Sequence, residues 1–253
     1  MDDKDARSSG LLFLIDLLKR IQRKPKYFFL ENVLNFERSE CRSKLVAVLR
    51  EFGYRVKEYL VSPLEIGIPN NRLRYYLSAV RLQEQHIERD LNSQDPLIGD
   101  SQDPSIIRSI PNHAPTAESP HSLQHYLDQN PNDLFIVPRE YLSRCKNFKF
   151  DIVTPLDCYS STFTKAYGSH QIVGTGSLLT TVALQDKSDQ EAVLEARPRF
   201  FTPVEIGRLH DFPSSFSFPP TITTKQQYKL LGNSLNVKVV SLIVGEMFGF
   251  QRP

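Results

Sequence analysis

From Ser8 onward the apolar positions Leu11, Leu14, Ile15, Leu18 and Ile21 recur at helical spacing. Ser8 or Ser9 can cap this helix, Lys19, Arg20 and Arg23 complement the dipole at its C-terminus, and Pro25 stops it. Tyr27-Phe28-Phe29-Leu30 is then an unbroken apolar run, the pattern of a parallel strand covered on both faces. Glu31 and Asn32 fall at its C-terminal end, where open α/β sheets bind ligands. Leu45, Val48, Leu49 and Phe52 mark one face of a second helix that ends at Gly53, and Tyr54 to Val61 reads as the next strand, giving a βαβ unit. Arg74 to Val80 predicts a further strand after the turn-rich Gly67-Ile68-Pro69-Asn70-Asn71.

The regular pattern stops there. Residues 83 to 120 are polar, bear prolines and contain Ser-Gln-Asp-Pro at 93 to 96 and again at 101 to 104, so they predict a mobile insertion with nothing to bury. Order resumes with a short helix over Leu123 to Leu127 and another around Arg139 to Arg144, followed by mixed strand and loop up to Thr181. Pro203 suits a helix start, and Leu235 to Phe248 predicts a final helix with Val237, Val240, Ile243 and Met247 as its apolar face. The chain therefore divides into an α/β region over 1–81, a smaller domain over 82–227 that includes the insertion, and a segment 228–253 returning to the first region.

With 253 residues, 40% of them hydrophobic, the chain can bury a core. A net charge of +2 falls short of the basic excess that would announce a nucleic-acid binder. Its distribution says more: residues 1 to 90 hold 17 Lys and Arg against 13 Asp and Glu, whereas 91 to 130 hold one against five, so a polyanion should prefer the flanks of the insertion. The start Met1-Asp2-Asp3-Lys4-Asp5 has no basic region of a signal peptide, and no apolar stretch approaches membrane-spanning length, which predicts a soluble protein of the cytoplasm or nucleus. Cys41, Cys145 and Cys158 form no Cys-x-x-Cys pair, so neither a disulfide framework nor a metal site is expected.

Singly, the polar motifs are weak. A carboxylate at a strand end, as in Glu31-Asn32-Val33, is usually solvated or capping. Asn71-Arg72-Leu73-Arg74 would put two guanidinium groups on one face of a strand start, since side chains i and i+2 point the same way, but a charged rim has the same pattern. Gly232-Asn233-Ser234-Leu235-Asn236-Val237 is a turn entering a helix, whose unused N–H groups could hold a carboxylate or phosphate. Arg199-Phe200-Phe201-Thr202-Pro203-Val204-Glu205 needs to be no more than a capped helix with an aromatic staple.

In order and separation, however, these blocks resemble the last conserved blocks of cytosine-5 methyltransferases, over essentially the whole chain. The resemblance is sharpest for the eukaryotic homologues that look like DNA methyltransferases but methylate cytosine in the anticodon loop of aspartate tRNA. Phe163-Thr164-Lys165-Ala166-Tyr167-Gly168 and Gly174-Thr175-Gly176-Ser177 look like that branch's target-recognition signature. The resemblance implies an α/β fold, here an incomplete Rossmann-like S-adenosyl-L-methionine-dependent methyltransferase sheet with a smaller target-recognition domain. By the same resemblance Glu31 binds N3 and the exocyclic amine of the target cytosine, Arg74 donates to O2, and Arg72 supports the pocket. Asn233 and Ser234 line the cofactor site near the amino-acid end of S-adenosyl-L-methionine, and Thr162, Phe163, Thr164, Lys165, Gly174, Thr175 and Gly176 recognise the substrate.

Two departures accompany the match. The family adds a cysteine thiolate to carbon-6 of the ring, which turns the poorly nucleophilic carbon-5 into an enamine carbon. The Pro-Cys-Gln segment carrying that thiol, and a Gly-rich cofactor loop, precede the first helix in the family; no Pro-Cys pair occurs in this chain. The signature position usually held by cysteine is Thr162. The expectation is a C-terminal portion of a tRNA cytosine-5 methyltransferase, inactive alone, with a separate N-terminal half as possible partner. The alternatives are a non-catalytic module binding tRNA or DNA, half of a split enzyme, or a remnant without function.

Overall fold

The computed structural model describes residues 8–82, 106–107, 121–129, 131–145 and 148–249, and it divides the chain into two compact units. One contains residues 1–61, 73–114 and 241–253, and the other 62–72 and 115–240. These boundaries differ from the division at 81 and 227: the turn before Arg72 and half of the last segment count with the second unit.

In the first unit, α1 (Ser9–Arg20) and α2 (Glu40–Glu51) pack on a sheet of β1 (Tyr27–Val33), β2 (Tyr54–Val61), β3 (Arg74–Arg81) and the two-residue β4 (Ile106–Ile107), in the order β1-β3-β2-β4. Ser39 accepts from the Arg42 N–H as N-cap of α2, whereas Ser8 precedes α1 without the expected side-chain cap bond, and α1 keeps Lys19 and Arg20 in its last turn. Ile15 and Leu18 of α1 and Cys41, Leu45, Val48 and Leu49 of α2 bury themselves against Tyr54, Tyr75, Leu77 and Ala79 on one face of the sheet. Leu14, expected on the buried stripe of α1, is 51% exposed.

The sheet keeps the βαβ unit but separates its two strands. β3 runs antiparallel to both β1 and β2 and lies between them, so the two flanking strands are parallel to each other without touching. β1 is half-buried over most of its length rather than covered on both faces, and its outer edge has no strand partner among the described residues. Ile106–Ile107 adds a short parallel strand to β2, so the expected insertion contains a piece of sheet. The rest of 83–120 lies outside the described residues.

The second unit is built from short pieces: α3 (Arg139–Ser143), β5 (Ile152–Val153), β6 (Leu178–Leu179), α4 (Gln190–Glu195), α5 (Pro203–Leu209) and α6 (Thr224–Gly232). Elements this short cannot stand on their own backbone bonds. Their core is Leu123, Leu142, Phe163, Tyr167, Phe201 and Tyr228 with aliphatic neighbours, and the rings of Tyr167 and Tyr228 meet edge to face at 5.2 Å. Tyr228 donates its hydroxyl proton to the carbonyl of Phe201 at 2.6 Å and Tyr167 to that of Ser177 at 2.7 Å, which satisfies both buried hydroxyls.

α7 (Val237–Met247) follows a break at Asn233–Asn236. Thr224–Met247 taken as one stretch has the length and apolarity of a membrane span, but it is two helices, and α7 buries Val239, Leu242 and Ile243. That buried face is turned from the expected one, since Val237, Val240 and Met247 are only half-buried.

Candidate functional site

Glu31 and Arg74 occupy the same face of the first unit's sheet. In the β1–β3 register Glu31 stands opposite Tyr76 and Val33 opposite Arg74, so Glu31 and Arg74 are diagonal neighbours. Arg74 Nε lies 3.6 Å from Glu31 Oε1, with the side chains 16% and 28% exposed. Arg74 Nη1 also donates to the Leu73 carbonyl at 2.8 Å, which holds the guanidinium against its own strand start. Asn32, on the opposite face, spends its side-chain oxygen on the N–H of Val33. An acceptor and a fan of donors, partly open to solvent, can grip a polar heterocycle through both an amine and a carbonyl.

Arg72 has a different place. It precedes β3 rather than starting it, is 3% exposed, and its guanidinium donates to the carbonyls of Phe163 and Gly232, each at 3.3 Å, and to that of Ser234. The expectation of two arginines side by side on one strand face is therefore corrected: Arg72 is a clamp joining three backbone segments. The same segment locks further. Asn70 donates to Ser160 Oγ at 3.1 Å and to the Ser161 carbonyl at 3.0 Å, and Ser160 donates to the Pro69 carbonyl at 2.6 Å. Thr162 donates to the Asn71 carbonyl at 2.6 Å. Residues 69–72, 160–163 and 232–234, far apart in sequence, thus converge in the second unit.

The recognition signature resolves into framework and surface. Phe163, 1% exposed, is core, and Thr175 is buried with its hydroxyl on the Ile172 carbonyl. Thr164 N–H donates to the Thr175 carbonyl at 2.8 Å, tying the two halves together. Gly176 adopts φ +145°, and a Cβ there would stand 2.7 Å from the Phe163 ring. Lys165 and Gly174 are the exposed members. Gly232 is required for a different reason: a Cβ would come within 2.2 Å of the Lys165 nitrogen, so α6 ends in direct backbone contact with the signature.

The turn 233–236 does not offer the row of unused N–H groups its sequence suggests. Asn233 N–H donates to Lys229, Ser234 N–H to Leu231, and Val237 N–H to His210, while Asn236 Oδ1 accepts from Val239 at 3.0 Å. What is left are the N–H groups of Leu235 and Asn236, with no backbone acceptor among the described residues, and side chains. Asn233 is exposed and Ser234 half-buried, on a backbone that Arg72 fixes, and neither side chain has a protein partner among the described residues.

Residues the sequence reading gave no role do much of the positioning. Glu205, fully buried, takes both guanidinium arms of Arg199 at 2.8 and 2.7 Å, the Thr202 N–H at 2.7 Å and the Asp128 N–H at 2.9 Å. Thr202 returns the bond to Glu205 N–H at 3.1 Å, completing a capping box on α5. The Thr-x-x-Glu spacing signalled that box, but nothing local signalled Arg199 or Asp128 as partners.

Residues 2–249 match the C-5 cytosine-specific DNA methylase family. The chain belongs to this family. It is 32% identical over 300 residues to a tRNA (cytosine(38)-C(5))-methyltransferase of Mus musculus, covering 96% of this chain and 72% of the relative. It is also 32% identical over 267 residues to a DNA (cytosine-5)-methyltransferase of Dictyostelium discoideum, covering 95% and 70%. Among solved structures, a Spodoptera frugiperda DNMT2 mutant superposes with TM-score 0.77 at 33% identity, covering 98% of this chain and 74% of that one. The fold is the α/β fold of S-adenosyl-L-methionine-dependent methyltransferases, and that compound is the family's methyl donor. The unpartnered side chains of Asn233 and Ser234 are chemically suited to its charged amino-acid end.

Proposed function

We propose that this chain is the target-holding and substrate-recognising part of a tRNA cytosine-5 methyltransferase, and that its 253 residues by themselves do not transfer methyl groups. The observation that carries the first statement is the Glu31–Arg74 pair: a carboxylate and a guanidinium 3.6 Å apart on one sheet face in a member of a cytosine-modifying family. Glu31 accepts from the exocyclic amine and shares a proton with N3, helping N3 become protonated, and Arg74 donates to O2. Both contacts strengthen as electron density shifts through the ring during addition, so they stabilise the transition state more than the bound base. Arg72 acts through the backbone, holding Gly232–Ser234 and Phe163 in place. Asn233 and Ser234 meet the methyl donor's amino-acid end. Thr162, Lys165 and Gly174 face the nucleic acid, while Phe163, Thr164, Thr175 and Gly176 shape the loop that presents them.

The second statement rests on the cysteines. Cys41 is 1% exposed inside α2, Cys145 shares its Sγ with the Tyr141 carbonyl, and Cys158 is an exposed thiol beside Leu156. None follows a proline. A Pro-Cys segment outside these 253 residues would supply the nucleophile. The choice of tRNA over DNA is supported by the names of the relatives at 32% identity, of which one at the same identity is named for DNA.

The test is transfer of labelled methyl from S-adenosyl-L-methionine to aspartate tRNA and to duplex DNA, by the chain alone and with a matching N-terminal polypeptide. Transfer to tRNA only in the mixture is expected. Robust transfer by the chain alone would sink the second statement, and transfer to DNA alone the choice of tRNA. The absence of a Pro-Cys pair favours a second reading, a non-catalytic module that binds tRNA. It predicts salt-sensitive tRNA retention by the chain with no transfer in either arrangement.

A further inference from the structure

The second unit contains a cavity of about 400 Å³ that none of the roles above uses. Its volume falls within the usual range of small-molecule sites. Leu127, Ile136, Pro155 and Leu179 give it an apolar lining, and Asn132, Asp133 and Arg197 bring polar groups to it. Asn132 caps the turn Asp133–Phe135: its Oδ1 accepts from Leu134 N–H at 2.9 Å, which fixes the amide and leaves its two N–H donors over. The Asp133 carboxylate, next in the chain and exposed, has no partner among the described residues. Arg197 is exposed and likewise without a partner, and its backbone stands at φ +44°, in the left-handed region that non-glycine residues rarely adopt. Two residues on, Arg199 is held by Glu205 and the Phe200 carbonyl. A strained backbone that presents an unpaired cation at a cavity is a feature of ligand sites more often than of framework.

An amide donor next to a carboxylate that can take two N–H groups matches guanine most fully, since uracil presents only O4 and a single N3–H to the same pair. Guanine presents an acceptor, O6, beside two donors, N1–H and the N2 amine. Adenine presents its donor and acceptor in the reverse sense, and cytosine offers two acceptors after its amine. We propose that this cavity receives the base of an unpaired guanine nucleotide of the substrate, with Asn132 on O6, Asp133 on N1–H and N2–H, and Arg197 on the phosphate. Reading a splayed-out base by its Watson–Crick edge over an apolar floor is how proteins gain sequence specificity on single-stranded RNA. The proposal rests on the reading of this chain as acting on nucleic acid, and its test separates the two.

The full chain is examined by saturation-transfer NMR and equilibrium dialysis with guanosine, GMP, AMP, CMP and UMP, together with Asp133→Asn and Arg197→Ala. Both substitutions sit at exposed positions, and far-ultraviolet circular dichroism checks that each variant is folded. GMP should bind about tenfold more tightly than AMP, the size of one well-placed polar contact. Asp133→Asn should abolish that preference, and Arg197→Ala should weaken GMP about tenfold while leaving guanosine unchanged. No binding of GMP by the wild-type chain, or an unchanged preference in Asp133→Asn, would overturn the proposal. A guanine preference with no tRNA methylation by the reconstituted enzyme would leave the cavity standing and remove the tRNA reading. Methylation without guanine preference would do the reverse.

Discussion

Two arginines separated by one residue carry opposite burdens. Arg72 is buried and holds three backbone carbonyls, whereas Arg74 meets Glu31 at 3.6 Å with both side chains partly in water. Replacing Arg72 by alanine strands buried acceptors, so it should cost about 3 kcal/mol or more. Arg74→Ala removes a loosely spaced pair and should cost about 1 kcal/mol or less. Urea denaturation of both variants checks the contrast, and equal losses would refute the division into clamp and contact. At this scale the sequence was partly legible. The i, i+2 spacing marked both arginines, but it assigned them one face because it could not show that the strand begins only at Arg74. Phe163 and Thr175 stood inside a recognisable signature, and a motif does not reveal which of its members are turned inward.

Elements with a long apolar period were readable, and those held by distant polar partners were not. α2, β2 and β3 follow their patterns within a residue or two. Their order in the sheet escaped the sequence because periodicity specifies the faces of a strand and not its neighbours. The sheet's own polar bolt was equally silent: Glu58, 3% exposed, accepts Arg42 Nε at 2.7 Å and Nη2 at 2.5 Å and takes the Tyr75 hydroxyl, joining α2, β2 and β3. Glu58→Ala leaves a guanidinium buried without its counter-charge and should cost about 3–5 kcal/mol. The paired change Glu58→Met with Arg42→Met, which removes both charges, should recover much of that loss in the same denaturation experiment. No recovery would mean the pair contributes by its fit rather than by mutual compensation. Helices over Gln190–Glu195 and Thr224–Gly232 were not foreseen, although each has a local cap, Asp189 on the Glu191 and Ala192 N–H groups and Thr223 in a capping box with Gln226.

Across the whole molecule, both units keep tyrosine hydroxyls inside. Burial pushes the phenols of Tyr59, Tyr75, Tyr167 and Tyr228 above the ordinary value, and the carboxylates of Glu58 near Tyr75 and Glu205 near Tyr228 push further the same way. A group whose folded-state pKa is raised stabilises the fold fully below its unfolded value, about 10 for tyrosine, and loses that contribution as pH rises toward the folded value. Stability should therefore fall above pH of about 10, with tyrosinate absorbance of these residues appearing together with loss of circular dichroism. Smooth titration of all tyrosines at the ordinary value, with the fold intact, would contradict this. The family was legible because widely separated blocks occur in a fixed order, a property of the whole chain that no single motif has. The central claim is that Glu31, beside Arg74, holds the target cytosine. Its most direct test is the rate of methyl transfer to aspartate tRNA by the chain reconstituted with a matching N-terminal polypeptide, compared with the same complex bearing Glu31→Gln. The account predicts a fall of about 100-fold or more, the size of a lost proton-handling group, with tRNA affinity unchanged. An unchanged rate would contradict it.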